Sequence, residues 1–299
     1  MEFEVRPCPI CKRMDLQYLV CETNLDLERL TEASFSSRKL PEYMHCRLMR
    51  CGQCDLVYSS PAPTLAFLTA SYRDASFDAT TESEYAARTY VACLRGAGRL
   101  QPVPALDIGA GDGAFLRELV RNGFDDVSGY EPSVAPVAAA NPDIRDRIRP
   151  ELFDASQVAG ESLGLVTCFQ TIEHVDDPLQ LVTDMQRILR PGGTAFLIAH
   201  DVDALSAKIM GFKSPIFDVE HLQLFNRRSA AALMSTAGFR DIHIFQIENA
   251  YPIAYWVRLF PLPALLKTAL LRTLNGPLAW LGQRLLRLPA GNLAIIAAK

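Results

Sequence analysis

The chain has 299 residues, 49% of them hydrophobic and 21% charged, enough apolar material for one large packed domain and a small one. Its formal net charge of −4 argues against a dedicated nucleic-acid binder. No run of about 18 uninterrupted apolar residues is present, which argues against a spanning helix. The charge is unevenly placed: no Asp or Glu follows Glu248, whereas Arg258, Lys267, Arg272, Arg284, Arg287 and Lys299 do.

The opening "MEFEVRPCPICKRMD" lacks the apolar core of a signal peptide. The expectation is a cytoplasmic protein whose cysteines sit in reducing surroundings, where metal binding outranks disulfide formation. Residues 1–62 end in the breaker "SSPAP" and carry Cys8 and Cys11 in "CPIC" and Cys51 and Cys54 in "CGQC". Two C-x-x-C knuckles can present four thiolates to a Zn²⁺ ion, and four thiolates leave no position for water, so such a site is structural. His45 and Cys46 are the alternative ligands. Cys21, Cys93 and Cys168 read as small apolar residues.

Residues 63–100 read as a helical connector, opened by Pro and Ser and stopped by Gly96 and Gly98. From 101 to 299 strands and helices alternate. The strands are "VPALDIGA", "DDVSGYEP", a weak one around "RDRIRPELF", "LGLVTCFQTI", "GGTAFLIAH", "RDIHIFQIEN" and a returning "GNLAIIAAK". The helices between them include "GAFLRELVRNG" and "DPLQLVTDMQRILR", the latter with Pro178 in its first turn. This order predicts an α/β fold with a doubly wound, Rossmann-like sheet covered on both faces.

Between the last two strands lies a long insertion at about 250–289. From Pro277 to Leu288 the spacing of Leu278, Leu281, Leu285 and Leu288 predicts one apolar helix face, with Gln283, Arg284 and Arg287 opposite and Trp280 among them. The segment suits a peripheral membrane contact, a lid over a hydrophobic acceptor, a dimer contact or ordinary packing on the sheet.

In "ALDIGAGDGAFL", Gly109, Gly111 and Ala114 satisfy the dinucleotide fingerprint. A nicotinamide cofactor would bring its anionic pyrophosphate here, next to Asp107 at the strand end and Asp112 in the loop. Two carboxylates suit a cofactor with a positive sulfonium and an amino group better. Glu131, in "SGYEPS", can accept ribose hydroxyls of either cofactor, or serve as an acid at a helix N-terminus.

"LDIGAGDGAFL", "GYEPS", "TIEHVDDP" and "ILRPGGTAFLI", in this order, resemble the class I S-adenosylmethionine-dependent methyltransferases. The C-x-x-C followed by "RCGQCDLVYSSPAP" resembles the zinc-binding N-terminal region attached to some of them, including sugar C-methyltransferases of antibiotic pathways. The resemblance implies a seven-stranded methyltransferase sheet behind a small zinc-binding module. It implies that Asp107 and the backbone of Gly109, Ala110, Gly111 and Gly113 hold the methionine part of S-adenosylmethionine, with Glu131 on the ribose. Phe153 or Asp154, in "ELFDAS", would lie near the adenine, and Gln170 and Thr171 would line the sulfonium side. One departure is Gly164, where members usually carry Asp.

Methyl transfer is an in-line displacement that often needs a base to take a proton from the acceptor, a task for histidine. Of His45, His174, His200, His221 and His243, the first choices are His174 in "IEHVDDP" and His221 in "SPIFDVEHLQLFN", followed by His200 at the end of the fifth strand. His243 alternates within a strand. Glu173, His174, Asp176 and Asp177 can be read as a divalent-ion cluster or, more simply, as acids capping the next helix. Tyr72 and Tyr85 are candidates to close over the cofactor. The expected function is methyl transfer from S-adenosylmethionine to a small-molecule or lipid-like acceptor, at oxygen, nitrogen or carbon. The alternatives are a zinc- and NAD-dependent oxidoreductase and a non-catalytic cofactor-binding regulator.

Overall fold

The structure is a computed structural model that describes residues 2–30, 34, 43–73, 80–260 and 262–299. Among the described residues, the N-terminal region supplies five short strands: β1 (Phe3–Glu4), β2 (Gln17–Cys21), β3 (Leu48–Cys51), β4 (Val57–Ser59) and β5 (Ala62–Pro63). β2, β3 and β4 form an antiparallel meander, and β1 pairs with β5, tying the start of this region to its end. The connector forms α1 (Leu65–Arg73) and α2 (Thr80–Gly96).

The larger region begins with β6 (Ala105–Ile108), α3 (Ala114–Arg121), β7 (Val127–Tyr130), α4 (Val134–Ala139), α5 (Pro142–Arg145) and β8 (Ile148–Arg149). It continues through β9 (Leu163–Phe169), α6 (Pro178–Ile188), β10 (Leu189–His200), α7 (Leu205–Met210), β11 (Gln223–Leu224) and α8 (Arg227–Thr236). It ends with β12 (Arg240–Pro252), α9 (Ile253–Leu259), α10 (Ala264–Asn275), α11 (Ala279–Gly282) and β13 (Leu285–Ala298).

Seven of these strands make one sheet in the order β12–β13–β10–β9–β6–β7–β8. Its pairs are parallel except those of β13, which runs antiparallel between β10 and β12. Alternation along the strands fills both faces. Leu106, Ile108, Val166, Cys168 and Leu197 pack with Val182, Met185 and Leu233 of α6 and α8. Ala105, Leu165, Phe196 and Ile198 pack with Val91, Leu94, Leu116 and Leu119 of α2 and α3. The doubly wound α/β sheet is therefore as the sequence predicts. Gly164, the departure noted above, leaves space that Val103 fills: a Cβ there would lie 2.6 Å from Val103 Cβ. The chain runs outward through β6, β7 and β8 and returns on the other side at β9, so the switch point lies between β6 and β9, and ligands in such sheets sit at the strands' carboxyl ends.

The expected helix over 277–288 is not formed. Only Ala279–Gly282 is helical, and Leu285 to Leu288 pair with Pro252 to Asn249 as the outer end of the β12–β13 hairpin. Gly276, Pro277 and Gly282 weaken a helix here, and β12 offers an unpaired edge whose hydrogen bonds override the 3.6-residue spacing of the leucines. The helices α9, α10 and α11 fill the segment between the two strands.

The N-terminal region is joined to the sheet domain by main-chain pairing. β11 adds to β4, with Gln223 opposite Tyr58 and Leu224 opposite Val57, so the small sheet has the order β11–β4–β3–β2. Arg6 is buried beside this seam. Its guanidinium donates to the carbonyls of Ser59, Asp176 and Leu222 and to Gln223 Oε1.

Candidate functional site

The glycine loop leaves the carboxyl end of β6 at the switch point. Gly109, Gly111 and Gly113 have φ of +76°, +55° and +72°, left-handed values that disfavour any side chain. A Cβ on Gly109 would lie 2.1 Å from Thr171 Oγ1, so the loop can pass the Thr171 side chain, just after β9, only as bare glycine backbone. At Gly111 a Cβ would meet nothing within 4 Å; it faces open space. The amides of Gly109 and Ala110 both donate to the Tyr130 carbonyl at 2.9 Å, which fixes the loop over β7.

Asp107 is 2% exposed and accepts a 2.6 Å hydrogen bond from Thr167 Oγ1. Burial pushes its carboxyl pKa up to about 7; the Thr167 bond opposes this and the charge of Glu131 adds to it. Glu131 is buried at the end of β7, where Oε2 accepts from Gly111 N at 3.0 Å and Oε1 from Ser133 N at 2.9 Å. Asp112 accepts from Ser83 Oγ of α2 at 3.0 Å and from Ala114 N at 3.2 Å, so the connector helix is fastened to the loop.

Of the remaining predicted cofactor residues, Phe153 and Asp154 follow β8, and Gln170 and Thr171 follow β9. Phe153 is half-buried and meets the Tyr130 ring edge-on at 5.3 Å. Asp154 is exposed and caps a short 3₁₀ turn through Ser156 N at 2.9 Å. Gln170 is exposed with φ +47°, an uncommon conformation for a residue with a side chain, immediately after β9. Thr171 Oγ1 donates to the Phe169 carbonyl at 3.0 Å.

The three favoured histidines come together although they are far apart in the chain. The ring centroids of His174 and His221, and of His200 and His221, are each 4.9 Å apart. Their Nδ1 atoms are anchored by oxygens: His174 by Glu220 O at 3.0 Å, His221 by Ile216 O at 2.8 Å and His200 by Asn292 Oδ1 at 2.9 Å. Burial holds the pKa of His174 below its ordinary value, opposed by the charge of Glu173. Burial, then His200 and His174, hold that of His221 well below. Glu173 is fully buried and accepts from His200 N at 2.5 Å.

The acids after His174 separate into different tasks. Asp177 caps α6 through Gln180 N at 3.0 Å, and Asp176 faces the Arg6 guanidinium at 3.7 Å. Glu220 joins His174 instead, a residue the sequence reading passed over beside His221. Arg6 was passed over too, because a lone arginine near a terminus carries no local signal. His243 is exposed on β12 and His45 packs on Phe212 and Phe217. Tyr85 meets Tyr251 edge-on at 6.3 Å, while the side chain of Tyr72 lies outside the described residues.

Cys8, Cys11, Cys51 and Cys54 bring their sulfurs within 4.8 Å of one another, and the alternative ligands His45 and Cys46 are not in this group. Cys8 and Cys54 Sγ are 3.6 Å apart. The hydrogen bond from Cys54 pulls the Cys8 thiol pKa down to about 5, and burial pushes that of Cys11 up to about 11. Three of the four are buried and belong to the same core as the sheet. A tight set of four sulfurs, part of it already inclined to ionise, fits a tetrahedral Zn²⁺ ion.

The profile of the methyltransferase domain family matches residues 81–244. The ubiquinone biosynthesis O-methyltransferase of Acinetobacter baumannii (strain AYE) is 33% identical over 107 residues, which cover 33% of this chain and 45% of that protein. The protein of the same name from Pseudomonas aeruginosa (strain UCBPP-PA14) is 33% identical over 98 residues, covering 31% and 42%. The chain thus spans less than half the length of the curated relatives it matches. Among solved structures, the YcgJ protein of Bacillus subtilis superposes with a TM-score of 0.50 at 16% identity, over 71% of this chain and 98% of that one, a likeness of fold. With a matched segment that fills more than half its length and takes in the glycine loop, Glu131, His174 and His221, the chain belongs to the methyltransferase domain family.

Proposed function

We propose that the chain transfers the methyl group of S-adenosylmethionine to a small-molecule or lipid-like acceptor. The observation that carries this is the buried Asp107 beneath a glycine loop at the switch point: a carboxyl in this position repels a pyrophosphate and attracts a cation. When bound, S-adenosylmethionine supplies an electrophilic methyl on a positive sulfur. Asp107 and the backbone of Gly109, Ala110, Gly111 and Gly113 hold its amino-acid part. Glu131, already oriented by two backbone amides, keeps lone pairs for the ribose hydroxyls. Phe153 and Asp154 flank the adenine, and Gln170 and Thr171 flank the sulfonium.

His174, His200 and His221 border the acceptor side and ready the acceptor's nucleophilic atom for attack. Cys8, Cys11, Cys51 and Cys54 hold a structural zinc ion whose module braces this side, because β4 and Arg6 carry the segment from Leu222 to Gln223. The name of the curated relatives supports a lipid-like acceptor and oxygen as the methylated atom. The C-terminal insertion supports a peripheral membrane contact. Leu265 is 89% exposed, Trp280 62% and Phe260 59%, among the cations Arg258, Lys267, Arg272 and Arg284. None of the described helices is long and apolar enough to cross a membrane.

The test is release of S-adenosylhomocysteine in the presence of a panel of hydroxylated aromatic lipids. Acceptor-dependent release that His221→Ala reduces at unchanged cofactor affinity supports the proposal. Cofactor binding without turnover on the whole panel favours the regulatory alternative.

A further inference from the structure

We propose that Asn292, on the last strand, is the positioning residue that makes His200 the base of the reaction. Asn292 Oδ1 lies 2.9 Å from His200 Nδ1, and the two residues stand in register across the β10–β13 pair. This inference deepens the proposed methyl transfer and rests on it.

A bulge builds the contact. Ile247 of β12 pairs with Asn292 and Glu248 with Pro289, so the backbone of Ala290 and Gly291 stands outside that ladder. Gly291 has φ +86°, and its carbonyl accepts from Asp201 N at 2.8 Å, one residue past His200. A Cβ on Gly291 would lie 2.8 Å from Ser206 Oγ, so glycine lets β13 pass close to α7. A bulge of this kind re-aims the side chains beside it. Asn292 re-enters the ladder next to it and is 3% exposed. Ala294 and Ile296 of β13 pack with Phe196 and Ile198 of β10 and with α2 and α3, and by alternation Asn292 and His200 face the same side.

An amide oxygen only accepts, so His200 Nδ1 carries the proton and Nε2 the lone pair. The main chain of His200 is held as well, its amide donating to Glu173 Oε1 at 2.5 Å. Backbone and ring are both fixed, as proton transfer over a set distance requires.

The other two histidines suit the task less. His174 is bonded to the main chain of both Glu220 and Gln170. His221 is 7% exposed, and burial, with His200 and His174 beside it, opposes a positive charge on its ring. His200 is half-buried and stands on the strand next to the proposed sulfonium side: Gln170 N donates to the carbonyl of Ile198 at 2.8 Å. As the acceptor's nucleophilic atom bonds to the methyl carbon, the carbon–sulfur bond breaks with its electron pair left on sulfur. The proton of that atom passes to His200 Nε2 and then to solvent.

The test uses the full chain with ¹⁵N-labelled histidine. Long-range proton–nitrogen spectra without ligand, at about pH 8 where an ordinary imidazole is neutral, should show His200 as the Nδ1–H tautomer, its signals identified by their loss in His200→Gln. Asn292→Leu should convert it to a mixture of tautomers, and Asn292→Asp, which keeps an oxygen there, should hold it. In S-adenosylhomocysteine release on the hydroxylated aromatic lipids, His200→Gln should lower kcat about 10²- to 10⁴-fold with little change in KM. Asn292→Leu should lower kcat at least about tenfold, and Asn292→Asp should recover most of that loss. Asn292→Ala repeats the comparison if Asn292→Leu does not fold. A His200 proton on Nε2 in the wild type, a tautomer unmoved by Asn292→Leu, or full kcat in His200→Gln overturns the proposal and leaves the methyltransferase reading standing. No release by the wild type on any of the lipids removes that reading, and the base with it.

Discussion

Thr167 Oγ1 donates a 2.6 Å hydrogen bond to Asp107 Oδ1 across the β6–β9 pair, where the two residues stand in register. That bond does not compensate the burial of Asp107, whose pKa stays raised to about 7. Between the ordinary aspartate value and about 7 the folded chain therefore holds a proton that the unfolded chain has lost, so stability falls as pH rises through this window. Asp107→Asn removes the titration and keeps an acceptor for Thr167. Thermal melts without cofactor should show the variant gaining on the wild type from about pH 4 to pH 7, reaching about 1–4 kcal/mol, and a constant difference above. A difference that does not vary with pH contradicts the assignment of the raised carboxyl.

Binding of a cationic cofactor beside Asp107 should return the carboxyl to its charged form. Up to one proton per chain should then be released on S-adenosylmethionine binding at about pH 6, read from calorimetry in buffers of different ionisation enthalpy. Asp107→Asn should abolish the buffer dependence.

Gly109 and Gly111 separate two effects that a glycine loop combines. Gly109→Ala meets Thr171 at 2.1 Å and takes on left-handed strain, so both melting temperature and cofactor affinity should fall. Gly111→Ala meets no atom within 4 Å, so the stability loss should stay near the backbone cost of about 1–2 kcal/mol while affinity falls at least about tenfold, its methyl entering the space assigned to the cofactor. Equal affinity in the two variants and the wild type would refute the loop's role.

Metal removal at the cysteines should be felt at the acceptor side. β11 depends on β4 for its pairing, and Arg6 spans Ser59, Asp176 and Leu222. Chelation or Cys51→Ser should lower the melting temperature and speed hydrogen exchange of the amides from His221 to Leu224, with the amides of β9 little changed. Unchanged exchange at 221–224 contradicts the brace.

The insertion should bring the chain to anionic vesicles. Co-sedimentation at low salt is expected with phosphatidylglycerol and not with phosphatidylcholine alone. Lys267→Glu with Arg272→Glu should cut it severalfold, since each basic residue near an anionic surface is worth about 1 kcal/mol. Equal sedimentation of both proteins removes the membrane contact.

The sheet was legible because its signals are local: an apolar strand before "GAGDG", an acid at the end of the next strand and Pro178 opening a helix. The cysteine knuckles were legible for the same reason. What escaped depends on pairing at a distance. The leucines at 285 and 288 keep a helical spacing, and only the unpaired edge of β12 turns them into strand. β11 is two residues long, and its membership of the N-terminal sheet is written in Tyr58 and Val57, more than 160 residues earlier. The histidines were found as types, but Glu220 needed the fold to bring it beside His174.

The central claim, that the crevice between β6 and β9 binds S-adenosylmethionine through Asp107, is tested most directly by titrating the cofactor into wild type and Asp107→Ala by calorimetry, with NAD⁺ in parallel. One equivalent of S-adenosylmethionine should bind the wild type, with a loss of at least about a hundredfold in Asp107→Ala, and NAD⁺ should give no heat. Undiminished affinity in Asp107→Ala, or binding of NAD⁺ in place of S-adenosylmethionine, would contradict it.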